Sequence, residues 1–255
     1  MLKIGLIGYG KMGQILHKLS KAFDLEVKAI IDPFHEEATG RDITKENLKE
    51  CDVCIDFTTP KVVLDNIDKL VELKMPLVVG TTGWYDALET VKEKVEEKDS
   101  VLIFGSNYSI GVNIFFKMID YGTKLVNQVN GYDVAGFESH HRMKKDIPSG
   151  TGETIADIIL NNYDGKDKVV YQPGNRRVDE NELHFTSMRC GNINGLHEVF
   201  FDSKEDQISI KHEARSREGF AKGALMAAKY IEGKKGMYNF VECFDDVLEV
   251  MTNDN

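Results

Sequence analysis

The sequence predicts an α/β protein in two parts: an N-terminal parallel sheet with helical crossovers, then an α+β part built on a mixed sheet. Three observations carry this. Through residue 104, short apolar strands alternate with helical stretches. A glycine-rich turn joins the first strand to the first helix. Beyond residue 161 helical spacing gives way to short strands linked by tight turns, which makes a mixed or antiparallel sheet.

The first strand, Leu2–Ile7, runs into Gly8-Tyr9-Gly10-Lys11-Met12-Gly13. A helix over 12–22 follows, with Ile15, Leu16 and Leu19 at helical spacing. Strand, G-x-G-x-x-G turn and helix make the Rossmann-type dinucleotide pattern. Gly8 permits the tight turn, Gly10 lets backbone approach a pyrophosphate, and Gly13 lets helix and strand pack closely. Tyr9, Lys11 and Met12 lie within the same turn and belong to the expected cofactor-binding set. A strand over 27–31 ends in Asp32, 19 residues past Gly13, near the spacing of an acid that accepts ribose hydroxyls. Its charge would repel a 2′-phosphate, and Pro33 rather than an arginine follows. That favours NADH, while Lys11 and Arg41 leave NADPH open.

The alternation continues with strands at 53–57, Leu77–Val79 and Val101–Phe104 and helices at 61–73 and 85–97. Ligands of such sheets bind beyond the carboxyl ends of the strands. Thr58-Thr59, Gly80-Thr81-Thr82 and Gly105-Ser106-Asn107 all fall at such ends. Any one alone reads as a turn; their recurrence at one edge suits them to a nicotinamide ribose and amide. A helix over 111–126, with Val112, Phe115, Phe116, Ile119 and Leu125 as its apolar side, leads out of this part. A strand over 132–137 and a helix from about 151 to 161 come next. Strands over 183–190, 198–202 and 207–214 follow, the last placing Ile208, Ile210 and His212 on one face. That face needs a cover, and a partner subunit would supply it. A helix over 220–232, rich in small residues, is expected to return to the nucleotide part, and a short amphipathic helix over 244–250 ends the chain. The expected domains are 1–108, completed by 218–255, for the dinucleotide, and 109–217 for substrate and oligomerisation.

Bulk properties exclude several classes. A net charge of −10 argues against nucleic acid. No apolar run reaches membrane-spanning length, and the N-terminus enters a strand directly, so the cytoplasm is expected. Four cysteines in 255 residues make no disulfide framework. Cys51 and Cys54 have C-x-x-C spacing, but one sits on a strand and no second pair completes a zinc site. They read as small apolar residues, and no metal is expected.

Against the acidic background, one stretch gathers cations: Glu138-Ser139-His140-His141-Arg142-Met143-Lys144-Lys145-Asp146-Ile147-Pro148-Ser149-Gly150-Thr151. It reads as a loop closing on a helix start after Ser149, whose unpaired N–H groups favour an anion. Imidazoles titrate near neutrality and move protons. Lysine and arginine neutralise carboxylates. A charge run alone is more often a solvated face. Adjacent histidines aimed to opposite sides, apolar anchors at both ends and the nucleotide turn upstream favour a site for a small, multiply anionic ligand that can also move protons.

In order, Gly8-x-Gly10-x-x-Gly13, Gly80-Thr81-Thr82-Gly83-Trp84, the stretch Ser106-Asn107 through Asn113, and Glu138-x-His140-His141-x-x-Lys144-x-Asp146-x-Pro148-Ser149-Gly150-Thr151 resemble the 4-hydroxy-tetrahydrodipicolinate (dihydrodipicolinate) reductase family, over essentially the whole chain. The resemblance implies reduction by NADH or NADPH in lysine and diaminopimelate biosynthesis. It implies His140 as acid/base, and Lys144 as proton donor and carboxylate partner. His141 with Ser149, Gly150 and Thr151 would hold the dicarboxylate. Gly80–Thr82 and Gly105–Asn107 would line the nicotinamide side. It further implies a cytoplasmic homotetramer joined through the second sheet. Two departures stand out: Gly195-Leu196-His197 where the family usually has Gly-Glu-His, and Pro33 where a basic residue is common. Competing readings are another nicotinamide oxidoreductase of an amino-acid-like substrate, and an NAD-sensing protein without chemistry.

Overall fold

The computed structural model describes residues 1–253 of the chain, as one unit formed by Met1–Ile110 with 217–253 and another formed by Gly111–Ser216. The order is β1 (Leu2–Ile7), α1 (Lys11–Ser20), β2 (Leu25–Ile31), β3 (Val53–Asp56), α2 (Val63–Glu72), β4 (Leu77–Val79), α3 (Leu88–Glu97), β5 (Val101–Phe104) and α4 (Ile110–Val126). Then come β6 (Asp133–His140), α5 (Gly150–Asn162), β7 (Lys168–Val170), β8 (Glu182–Arg189), β9 (Leu196–Asp202), β10 (Gln207–Glu213), α6 (Glu218–Tyr230), β11 (Gly236–Asn239) and α7 (Phe244–Asn253).

In the first unit six strands run parallel in the order β11-β5-β4-β3-β1-β2. Both faces are covered, which is why its strands read as apolar runs. On one face Ile4, Leu6 and Ile55 pack with Leu16 of α1, Ala224 and Ala228 of α6, and Val247 of α7. On the other, Ile7 and Val79 pack with Val63, Ile67 and Leu70 of α2 and Val91 and Val95 of α3. The small side of α6 lets it lie close to the sheet, as its composition suggested. Strand order reverses between β1 and β3, so the chain leaves their carboxyl ends in opposite directions. That divergence opens a crevice at the edge where the glycine turn sits.

The second unit holds a mixed sheet in the order β10-β9-β6-β8-β7. Central β6 pairs parallel with β8 and antiparallel with β9. α4 and α5 lie on one face. Phe115 of α4 meets the His212 ring with centroids 5.9 Å apart, and Gly152 of α5 approaches Phe185 of β8. His212 and Ile210 of β10 are therefore met by the unit's own helix α4 rather than by a partner, contrary to expectation, while Ile208 on the same face stays 47% exposed. The opposite face carries the half-buried Phe137, Thr186 and Phe200.

Other departures concern boundaries. β6 runs to His140, past the expected end at 137, because Glu138 pairs across to His197 and His140 to Arg189. Glu138, Ser139 and His140 are therefore strand residues, and the cationic loop begins at His141. β7 and β11 were not anticipated: three and four residues are too few to show periodicity, and both are edge strands placed by neighbours.

Candidate active site

Gly8 has φ +84, the left-handed turn that reverses the chain after β1. Gly13 lies against that turn: a Cβ there would sit 2.4 Å from the Gly8 carbonyl oxygen. Gly10 differs, since a Cβ would meet nothing within 4 Å. It is the N-cap of α1 and has no side chain to cap it with, so the N–H groups of the first turn stay open to an anion. Lys11 is exposed and Met12 half-buried in that turn. Tyr9 is buried, its hydroxyl paired with His17 Nδ1 at 2.5 Å.

Asp32, at the end of β2, accepts from the backbone N–H groups of Tyr9 (2.8 Å), Phe34 (2.9 Å) and His35 (2.9 Å). Burial pulls its pKa up, but these three donors outweigh burial and hold it below the ordinary range. It is thus a fixed charge that also ties the glycine turn to the next strand. A cleft of about 460 Å³ opens here, lined by Gly8, Gly10, Asp32, Phe34, Arg41 and Thr58 among others. Arg41 Nη1 donates to the carbonyls of Asp32 (3.1 Å) and His35 (2.7 Å), which fixes a guanidinium at its rim. A second cleft of about 440 Å³ shares Gly10 and Thr58 and adds Lys11, Met12, Gly80, Thr81 and Thr82. A nicotinamide dinucleotide fits this set: an open backbone turn for pyrophosphate, a carboxylate for ribose, and small polar residues beyond. Gly105, Ser106 and Asn107 belong to neither lining. Gly105 faces Phe240, and Asn107 Oδ1 accepts from the Ser109 N–H at 2.8 Å.

Beneath Thr58 and Thr81 lies a carboxylate that the sequence reading left unassigned. Asp56, fully buried, accepts from Thr58 N–H (3.0 Å) and hydroxyl (2.8 Å), Thr81 hydroxyl (2.9 Å) and Asn66 amide (2.8 Å). Burial raises its pKa and these donors oppose the rise. It locks the ends of β3 and β4 into one surface.

In the second unit the cationic stretch is organised by Glu138, whose side chain is wholly buried. Ser149 donates both its N–H (3.0 Å to Oε1) and its hydroxyl to this carboxylate. Ser187 hydroxyl (2.9 Å) and Arg189 Nη2 (3.1 Å) also donate to Oε1. Ser149 is at the same time the N-cap of α5, its Oγ accepting from Gly152 N–H at 3.1 Å. The helix start that offers Gly150 and Thr151 is thereby bolted to β6. Burial pulls Glu138 up, but hydrogen bonds from His197, Ser149 and Ser187 dominate and hold it well below the carboxylate range.

Two imidazoles flank that carboxylate: His197 Nε2 at 3.5 Å from Oε2 and His140 Nδ1 at 3.8 Å from Oε1. The three could offer ligand atoms within 4.8 Å of one another. Yet the carboxylate oxygens already take five hydrogen bonds and face a guanidinium, so the trio is built to hold protons and not a cation. Burial pushes His140 down to about 4; Glu138 pulls it up, while His197, Lys144 and Arg189 push it further down. His140 is neutral at pH 7 until something anionic arrives. Lys144 bonds Asp146 at 2.8 Å, and His141 is half-buried beside the loop. Asp146 is exposed, so exchanging it for a ligand carboxylate costs little.

The structure thus gathers His140, Ser149, Glu138, His197 and Arg189 in one cluster. Of these, His197 had appeared in the sequence only within a segment that departs from the family pattern, Glu138 only as the start of a motif, and Arg189 only inside a strand. Their convergence depends on β8 and β9 flanking β6.

Residues 2–108 match the family model for the N-terminus of dihydrodipicolinate reductase, and residues 111–244 match that for its C-terminus. The chain belongs to the dihydrodipicolinate reductase family. It is 36% identical to the 4-hydroxy-tetrahydrodipicolinate reductase of Christiangramia forsetii, over 97% of this chain and 100% of that one. With the same-named protein of Rickettsia bellii it shares 31% identity, over 97% and 96%. A solved dipicolinate-bound dihydrodipicolinate reductase from Paenisporosarcina sp. TG-14 superposes with a TM-score of 0.76 at 20% identity, covering 95% of this chain and 99% of that one, so the family's fold is shared. Among the described residues no helix is long and apolar enough to cross a membrane.

Proposed function

We propose that this chain reduces 4-hydroxy-tetrahydrodipicolinate to tetrahydrodipicolinate in diaminopimelate and lysine biosynthesis, using NADH or NADPH. The observation that carries the reading is the bolted helix start at Ser149, Gly150 and Thr151 with His140, His141 and Lys144 on the segment leading to it, in a chain of this family. The relatives bear that enzyme's name, and the solved neighbour is described with dipicolinate, a dicarboxylate heterocycle, bound.

Gly8 to Gly13 would hold the pyrophosphate, Asp32 the ribose, and Gly80 to Thr82 with Gly105 to Asn107 the nicotinamide side. The cofactor, when bound, supplies a hydride. The N–H groups of Gly150 and Thr151, with His141, bind one substrate carboxylate. Lys144 leaves Asp146 for the other. Once the 4-hydroxyl has left as water, hydride addition at one end of the resulting conjugated C=C/C=N system builds negative charge at the other, and Lys144 and Arg189 stabilise it. The two carboxylates also raise the proton affinity of His140, whose neutrality comes mainly from burial. His140 is then charged when substrate is present and returns a proton to the ring through Nε2. The fixed Asp32 charge favours NADH; Arg41, anchored at the cleft rim, gives a 2′-phosphate one partner, so NADPH serves with lower affinity.

Assembly as a cytoplasmic homotetramer through the face bearing Phe137 and Phe200 belongs to the same reading. The decisive assay follows oxidation of NADH and NADPH with freshly made 4-hydroxy-tetrahydrodipicolinate. His140→Gln and Lys144→Ala should each lower kcat by about 100-fold or more with NADH binding retained; near-normal turnover in both overturns the assignment. Tight NADH binding with no oxidation would instead favour an NAD-sensing protein.

A further inference from the structure

Resting on that reading, we propose that Glu138 is the positioning residue of the reaction: it keeps the proton of neutral His140 on Nδ1, leaving Nε2 to exchange protons with the substrate, while the same carboxylate fixes the helix start that binds it. A hydroxyl has one donor and two acceptor positions. Ser149 Oγ gives its hydrogen to Glu138 and accepts the Gly152 N–H. Its remaining position faces His197 Nε2 at 3.3 Å, so that nitrogen carries a hydrogen. His197 Nδ1 is then a bare acceptor, buried without a partner. The tautomer of one imidazole is thus set by the serine–glutamate pair, and its ring lies 5.1 Å from the ring of His140.

His140 completes the arrangement. Its Nδ1 is buried with no hydrogen-bond partner and lies 3.8 Å from Glu138 Oε1. That is too long for a hydrogen bond but close enough for a charge to choose the tautomer. A carboxylate that is always ionised favours N–H over a lone pair at the nearer nitrogen. Nε2 is left as the working atom, and Gly195 keeps it clear, since a Cβ at that residue would lie 3.2 Å from Nε2. The charged or titratable groups facing His140 are Glu138 on its own strand, His197 on β9, Arg189 on β8 and Lys144 in the following loop. Glu138 alone among them favours the imidazolium. It therefore supplies the pull that the bound dicarboxylate reinforces.

One residue thereby couples two requirements. The same oxygens that steer His140 hold Ser149, and Ser149 holds the first turn of α5. A group that only stabilised the fold would have no reason to influence the imidazole.

The test uses Glu138→Gln, which keeps shape and removes charge. Losing the carboxylate lowers the pKa of His140, so the limb of the kcat–pH profile on which activity falls as pH rises should move about one unit toward acid. At pH 7.5 kcat should drop about tenfold while KM for NADH stays within about twofold. An unshifted profile with near-normal kcat, in a folded variant, overturns the proposal. Should Glu138→Gln not fold, nitrogen NMR of histidine-labelled wild-type protein still decides: the Nδ1–H tautomer of neutral His140 is expected, and Nε2–H overturns the inference. The NMR result does not depend on the substrate's identity, so failure of the substrate assay and failure of this inference are read separately.

Discussion

Replacing Gly13 and Gly10 separately by alanine divides folding from cofactor binding within one turn. At Gly13 the new Cβ would sit 2.4 Å from the Gly8 carbonyl oxygen and 3.3 Å from the Gly8 carbonyl carbon. Ordinary close C···O contact is about 3.3 Å, so helix and turn must separate by roughly 1 Å. Both contacts are backbone, and no side-chain rotation relieves them. Overpacking of this kind costs about 3 kcal/mol, and the better helix propensity of alanine returns about 1 kcal/mol. The net loss is about 2 kcal/mol, or roughly 5 °C in Tm for a chain of this size. At Gly10 a Cβ meets nothing within 4 Å, and φ −73 with ψ −158 is available to alanine. Gly10→Ala should therefore unfold within about 2 °C of wild type, yet obstruct the pyrophosphate and weaken NADH at least tenfold. Urea or thermal unfolding, paired with NADH titration followed by fluorescence, separates the two. A stable Gly13→Ala, or a Gly10→Ala that binds NADH normally, would refute the reading of this turn.

Asp56→Ala strands four donor groups beneath Thr58 and Thr81 and should cost about 3 kcal/mol or more in urea unfolding, whereas Asp56→Asn keeps two acceptor positions and should cost less. Acid should unfold the protein in a particular window. The folded pKa of His140, about 4, lies below its unfolded value near 6.5, so the unfolded chain takes up the proton first and stability falls as pH drops from about 6.5 to 4. That contribution reaches up to about 3 kcal/mol, and His140→Gln should flatten it in unfolding curves taken at pH 7 and pH 5. Glu138, depressed below its unfolded value, adds its own loss as pH falls below about 4.5, so wild type should steepen again there. Phe137→Asp or Phe200→Asp on the open sheet face should lower the oligomeric state in sedimentation velocity without unfolding the chain; an unchanged mass would exclude that face as the interface.

The first part of the fold was legible because its signals are local. A strand, a glycine turn and a helix are written within about twenty residues, and buried parallel strands announce themselves as apolar runs. Asp32 was singled out by its spacing after the glycine turn, and His140, His141 and Lys144 by their chemistry and density. The extent of β6 was not legible, since nothing in Glu138-Ser139-His140 prefers a strand; partners 49 to 59 residues further along hold it extended, through Glu138–Ser187, Glu138–His197 and their neighbours.

What the sequence determined was the fold class, the order of the elements, the family and the inventory of reactive groups, all of which follow from short-range patterns. The tertiary structure alone decided which of those groups touch. Asp56 became the support of two loops because β3 and β4 are adjacent, and Glu138 became the centre of the histidine cluster because β8 and β9 flank β6. Likewise, α4 meets Ile210 and His212 of β10. Side-chain convergence is set by strand pairing over long separations, and the energy of such pairing lies in contacts that no local window of sequence contains.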